Sequence, residues 1–176
     1  MPINIEKFSF KNILIFRAEK PFVNGTLFLS ANQKEKPKNF VTDVVDNLPI
    51  EWCLIADCTL AVKYMQAAEI DNITAYILAE IDDFLQTPHS LENCAVKQNN
   101  NQLIETLADV FIRPTLYRDS GDIKIINYDE KNAHLILQFT GHCSGCPYAQ
   151  NTLNNVIIRT FNRYLPQNIK VKMLEV

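Results

Sequence analysis

Apolar positions along the chain change period several times, and each change marks an element. Ile13-Leu14-Ile15-Phe16 and Thr26-Leu27-Phe28-Leu29 are short β-rich runs set around a turn at Asn24-Gly25. Phe40, Val41, Val44, Val45 and Leu48 recur at helical spacing and stop at Pro49. Trp52 to Ile55 and Thr59 to Tyr64 predict two more strands around Ala56-Asp57-Cys58. Asp71 is placed to cap a helix whose apolar stripe is Ile73, Ile77, Ile81, Phe84 and Leu85.

The second half is written more sharply. Leu103, Leu107, Val110 and Phe111 define one face of a helix that bends or ends near Arg113-Pro114. Ile123 to Ile126 and His134 to Phe139 predict strands joined by the polar turn Asp129-Glu130-Lys131-Asn132. After Gly141-His142-Cys143-Ser144-Gly145-Cys146-Pro147, a long helix runs to about Leu165, with Leu153, Val156, Ile157, Thr160, Phe161 and Tyr164 inward. Arg159 and Arg163 in its last turns complement the negative end of the helix dipole. Pro166 and Asn168 end it, and Ile169, Val171 and Met173 alternate as a final strand.

These elements predict an α+β fold of two small domains. Residues 1–88 form the first, 89–101 a polar linker containing Gln98-Asn99-Asn100-Asn101, and 102–176 the second. In the second, a small sheet packs against helices. The chain's 176 residues, 47% hydrophobic, suit that arrangement. Residues 1–88 carry 8 basic and 12 acidic groups, and 89–176 carry 9 and 8, so the net charge of -3 originates in the first half. That balance gives no electrostatic reason to expect a nucleic-acid or membrane-surface binder. The opening Met1-Pro2-Ile3-Asn4-Ile5-Glu6-Lys7 shows no export or organelle signal. The expected location is the bacterial cytoplasm, with a processed form in the mitochondrial matrix as the alternative.

Five cysteines is an odd number, spread too thinly for a disulfide framework, which points to a reducing compartment. Cys143 and Cys146 are the one chemically loaded spacing. Two intervening residues let both thiolates curl toward one metal, as zinc and iron–sulfur sites require. The pair falls where a strand ends and a helix begins, with Pro147 at the favoured first helical position. Unpaired N–H groups and partial positive charge at that helix start lower a thiol pKa and favour an anionic cluster. Gly141 and Gly145 bracket Cys143 and let the backbone turn tightly.

One CxxC supplies two ligands where a cluster usually takes four cysteines. Cys53 and Cys58 fall in the first domain and Cys94 in the linker, and all three read as small apolar side chains. The economical solution is a symmetric dimer giving one pair per chain. Two rivals use the same residues. A dithiol–disulfide oxidoreductase is one, although here the proline follows the second cysteine. A zinc-bridged dimer is the other. Asp119 and Asp122 flank Gly121 as a turn and strand-start cap rather than an acid–base pair, and Arg113 can end a helix or reach a partner. His142 adjoins a cysteine but reads as a surface group, as do His134 and His89.

Several separated motifs then occur in one order: Ile112-Arg113-Pro114-Thr115, Asp119-Ser120-Gly121-Asp122, two strands, Gly141 to Pro147, Thr152-Leu153 and Tyr164-Leu165-Pro166. In this, residues 101–176 resemble the C-terminal module of the NifU-like (Nfu) iron–sulfur scaffold family. The first half more weakly resembles the N-terminal domain of two-domain Nfu proteins, through Gly25-Thr26, the hairpin around Asp57 and the following helix. The resemblance implies a non-enzymatic carrier that holds a [4Fe–4S] cluster at a homodimer interface on Cys143 and Cys146. Such a carrier receives the cluster from upstream assembly proteins and passes it to apo-proteins. The sequence departs from the usual pattern at Ser120 and Val156, where glycine is common, and at Tyr148, where a small residue is usual.

Overall fold

A computed structural model describes residues 2–34, 36, 40–66, 68–86, 100–142, 144 and 149–174. The chain divides into two compact units, Met1–Gln98 and Asn99–Val176. Both mix helices with sheet, and the fold class is α+β.

In the first unit, five strands form an antiparallel sheet: β1 (Ile3–Phe8), β2 (Ile13–Ala18), β3 (Thr26–Ser30), β4 (Ile50–Ala56) and β5 (Thr59–Tyr64). The spatial order is β1-β2-β5-β4-β3. The β4–β5 hairpin turns at Asp57, whose φ of 50° suits the short polar side chain. Helices α1 (Phe40–Asn47) and α2 (Ile70–Gln86) place Val41, Val44, Val45, Ile73, Ile77 and Ile81 against Leu29, Ile55, Leu60 and Val62. The intervening residues Ile13, Ile15, Trp52, Leu54 and Ala61 are buried as well, so these strands read as continuous apolar runs.

Two details differ from the sequence reading. The turn at Asn24-Gly25 is present, with Gly25 at φ 111°, but β2 and β3 do not form a hairpin. Instead β2 lies between β1 and β5, because Leu14 and Phe16 find their apolar partners across the sheet at Val62 and Leu60. Asp71 sits inside the first turn of α2 rather than before it, where its charge still complements the helix N-terminus. The linker reading at 89–101 falls largely on residues outside the described ones.

The second unit opens with α3 (Asn100–Leu107), a π-helical turn (Ala108–Ile112) and α4 (Arg113–Arg118) as one continuous path. Pro114 was expected to bend or end this helix. The wider turn before it avoids the clash a proline imposes on a regular helix, and Pro114 then occupies the first turn of α4. Strands β6 (Gly121–Asp129) and β7 (His134–Gly141) follow as an antiparallel hairpin with a register shift between Ile125 and Asn127. A second interrupted helix, α5 (Ala149–Thr152), a π turn (Leu153–Ile158) and α6 (Arg159–Tyr164), carries the chain back to β8 (Lys170–Leu174), parallel to β7. Leu103, Leu107, Ile123, Leu135, Leu137, Phe139, Ile157 and Phe161 form this unit's buried interior. Phe111 stacks on Tyr164 at 4.5 Å.

Candidate metal centre

Cys143 and Cys146 lie outside the described residues, together with Gly145, Pro147 and Tyr148; in sequence they fall between β7 and α5. What the structure does show is how the approach to them is built. At Gly141, the last residue of β7, φ is 63°, and a Cβ there would lie 2.5 Å from the Ser120 carbonyl oxygen. Only glycine fits that approach. The next residue, His142, donates its backbone N–H to the same Ser120 oxygen at 3.1 Å, and the Ser144 N–H returns to the Gly141 carbonyl at 3.1 Å. The chain therefore leaves the sheet held against the start of β6.

That start is itself fixed. The Ser120 N–H donates to the Tyr117 carbonyl at the end of α4, and Ser120 has φ 55°. The left-handed conformation explains why glycine is common at this position in the resembled family, and a serine here carries strain.

Below this corner lies Arg113, 5% exposed. Its Nη1 donates to Asp109 at 2.6 Å and to Glu105 at 3.0 Å. Its Nε donates to Asp122 at 3.1 Å, and its Nη2 to the Ile123 carbonyl at 3.1 Å. Burial alone would lower the guanidinium pKa; the Asp109 and Glu105 charges outweigh it, and the net shift is upward. Asp122 also accepts from the Tyr117 hydroxyl at 2.9 Å and from the Ile123 N–H at 2.7 Å. Burial first, then the hydrogen bond to Asp122, pushes the Tyr117 hydroxyl up to about 12.

The structure thus uses Arg113 and Asp122 as a packed hub, not as a helix stop beside a turn. The signal was in the sequence: Glu105, Asp109 and Arg113 recur every four residues on one helix face, the spacing at which charges meet. Asp119 ends α4, its N–H bonded to the Leu116 carbonyl.

The other candidates separate cleanly. Cys53 is fully buried in β4, and burial pushes its thiol pKa up, which suits neither a ligand nor a nucleophile. Cys58 is partly buried beside the β4–β5 turn, and Cys94 and His89 lie outside the described residues. His134 and His142 are exposed. Among the described residues no three His, Cys, Asp or Glu side chains gather as a metal site.

Residues 104–172 match the family model of the NifU-like domain. At 31% identity over 118 residues, the chain is similar to the NFU1 iron-sulfur cluster scaffold homolog, mitochondrial, of Drosophila willistoni. That match takes in 61% of this chain and 40% of the relative. The chain is also 44% identical over 62 residues, 34% of this chain and 19% of the relative, to the Nitrogen fixation protein NifU of Azotobacter chroococcum mcd 1. A crystal structure of protein SAV1430 from Staphylococcus aureus covers 46% of this chain and 99% of its own length at 13% identity, with a TM-score of 0.37, too low to carry weight. Residues 104–172 thus match a NifU-like domain, and the named relatives support the Nfu family for that part of the chain. The chain spans about two fifths or less of the length of the curated relatives it matches.

Proposed function

We propose that this protein is a non-enzymatic iron–sulfur cluster scaffold and carrier, in which Cys143 and Cys146 of two identical chains hold one [4Fe–4S] cluster for delivery to apo-proteins. The observation that supports this most is the NifU-like match over 104–172, which encloses both cysteines. The relative from Drosophila willistoni is named as an iron-sulfur cluster scaffold homolog, and the chemistry of a dithiol after a strand suits the same cargo here.

Within one chain the donor set is two thiols, half of what a cluster takes. The corner at Ser120, Gly141 and His142 is fixed up to the residue before the first cysteine in sequence, and the Arg113 hub holds that corner's base. A cluster shared between chains is also more easily released than one enclosed by four ligands of a single chain.

In this reading residues 1–88 are an Nfu N-terminal-like domain that recognises clients or upstream assembly proteins, 89–101 a linker and 102–176 the cluster-binding domain. The compartment is a reducing one, the bacterial cytoplasm with the mitochondrial matrix as alternative, and cell fractionation decides between them. No helix among the described residues is long and apolar enough to cross a membrane.

Anaerobic reconstitution with iron and sulfide tests the reading. A brown chromophore that forms on the native chain, is lost in Cys143→Ser and Cys146→Ser, and activates an apo-acceptor supports it. A colourless protein that catalyses disulfide reduction, or one that retains zinc and transfers nothing, removes it.

A further inference from the structure

Among the described residues, the sheet of the second unit buries one face and exposes the other. Leu135, Leu137 and Phe139 of β7 face inward and are buried, so Ile136 and Gln138 look out from the opposite face. Strand register puts Lys172 beside Ile136, and both Lys124 and Leu174 beside Gln138. Lys170 lies one row further, opposite His134, and Ile126 protrudes at the β6 register shift. Ile126 is 42% exposed and Leu174 36%. The result is a short aliphatic strip with lysines on both flanking strands.

Among the described residues, acid on this face is confined to its two ends and already engaged. Asp129 binds Asn132 and two backbone N–H groups of its turn, and Asp122 binds Arg113 and Tyr117. The face is basic in a chain whose net charge is -3.

We propose that this open sheet face docks an amphipathic segment of another protein, one that carries an apolar stripe flanked by Asp and Glu. Charge complementarity selects that occupant. A second copy of the chain would bring lysine against lysine. A nucleic acid would find aliphatic side chains where stacking calls for rings, since Tyr128 faces the interior. The face runs along β7 toward Gly141, about 10 Å beyond Gln138 at the rise of a strand, and Cys143 follows two residues later. A partner seated here is therefore held near Gly141, two residues before Cys143 in sequence. That the partner gives or takes a cluster rests on the function proposed above; the docking itself does not.

The test uses the full chain with Cys143→Ser, so that a failure of cluster binding does not enter. The probe is a fluorescent synthetic peptide with leucine at helical spacing and glutamate elsewhere; its controls are the same peptide with lysine for glutamate, and a single-stranded DNA oligonucleotide. The glutamate peptide binds, more weakly at high salt, and Lys124→Glu with Lys172→Glu weakens it about ten-fold. Leu174→Ser weakens it about three-fold, by loss of the apolar contact. Circular dichroism verifies that the surface variants remain folded. Equal binding of the lysine peptide, equal binding of the oligonucleotide, or indifference to the charge reversal overturns the proposal.

Discussion

The two units bury different things. The first seals a five-stranded sheet in aliphatic and aromatic side chains, and even its cysteine in β4 is shut away. The second, with a smaller sheet, buries an arginine among three carboxylates directly beneath the strand ends that lead to the cysteine pair. A buried ion cluster is weak as a source of stability, since desolvation consumes most of the Coulombic gain, but it fixes direction where an apolar contact does not. The difference teaches that the first unit is organised for packing and the second for orientation.

Removing the cation breaks that contrast most severely. Arg113→Ala leaves Asp109 and Asp122 without it and is expected to cost about 3 kcal/mol, at the lower edge of buried-pair losses because Glu105 and Asp122 reach water. The loss should appear in the second unit alone. Trp52 is the single tryptophan and lies in the first unit, so its emission should keep its urea midpoint while part of the far-UV dichroism melts earlier. A reciprocal result is expected from Ile77→Ala, which opens a cavity under α2 and costs about 2–5 kcal/mol. Here the Trp52 midpoint should fall, and iron loading of the refolded protein should be unchanged.

The corner of the second unit gives a paired prediction of opposite sign. Gly141→Ala forces a Cβ onto the Ser120 carbonyl and should cost about 2 kcal/mol, with faster cluster loss after reconstitution. Ser120→Gly relieves a left-handed serine and should gain about 0.5–1 kcal/mol. Urea unfolding of both variants checks the signs.

The smallest effect is a titration. Tyr117 is protonated in the folded state up to about 12, whereas an unfolded tyrosine loses its proton near 10. Below pH 10 both states hold the proton and the contribution is complete. As pH rises from 10 toward 12 only the folded state holds it, so stability falls across that window. Phenolate absorbance should show a late-titrating tyrosine that disappears in Tyr117→Phe.

Local periodicity revealed α1, α2 and the β6–β7 pair, because each keeps one buried face over neighbouring residues, and the β4–β5 hairpin showed as two continuous apolar runs around a turn. It failed where partners are distant. β1 drew no strand reading, since Asn4, Glu6 and Lys7 interrupt its apolar positions; it is held by pairing with β2, where Arg17 meets Glu6. The pairing of β2 with β5 depends on residues nearly fifty positions away, which no turn signal reports. The cysteine spacing rests on sequence alone, since both residues lie outside the described ones, whereas the Arg113 hub joins two helical carboxylates to a strand and only its helical part shows in sequence.

The most direct measurement is the native mass of the anaerobically reconstituted protein, taken without denaturation. The expected species weighs two chains plus four irons and four sulfides, about two irons per chain, and reverts to lighter protein in Cys143→Ser. A single chain free of iron under the same conditions would contradict the shared-cluster account.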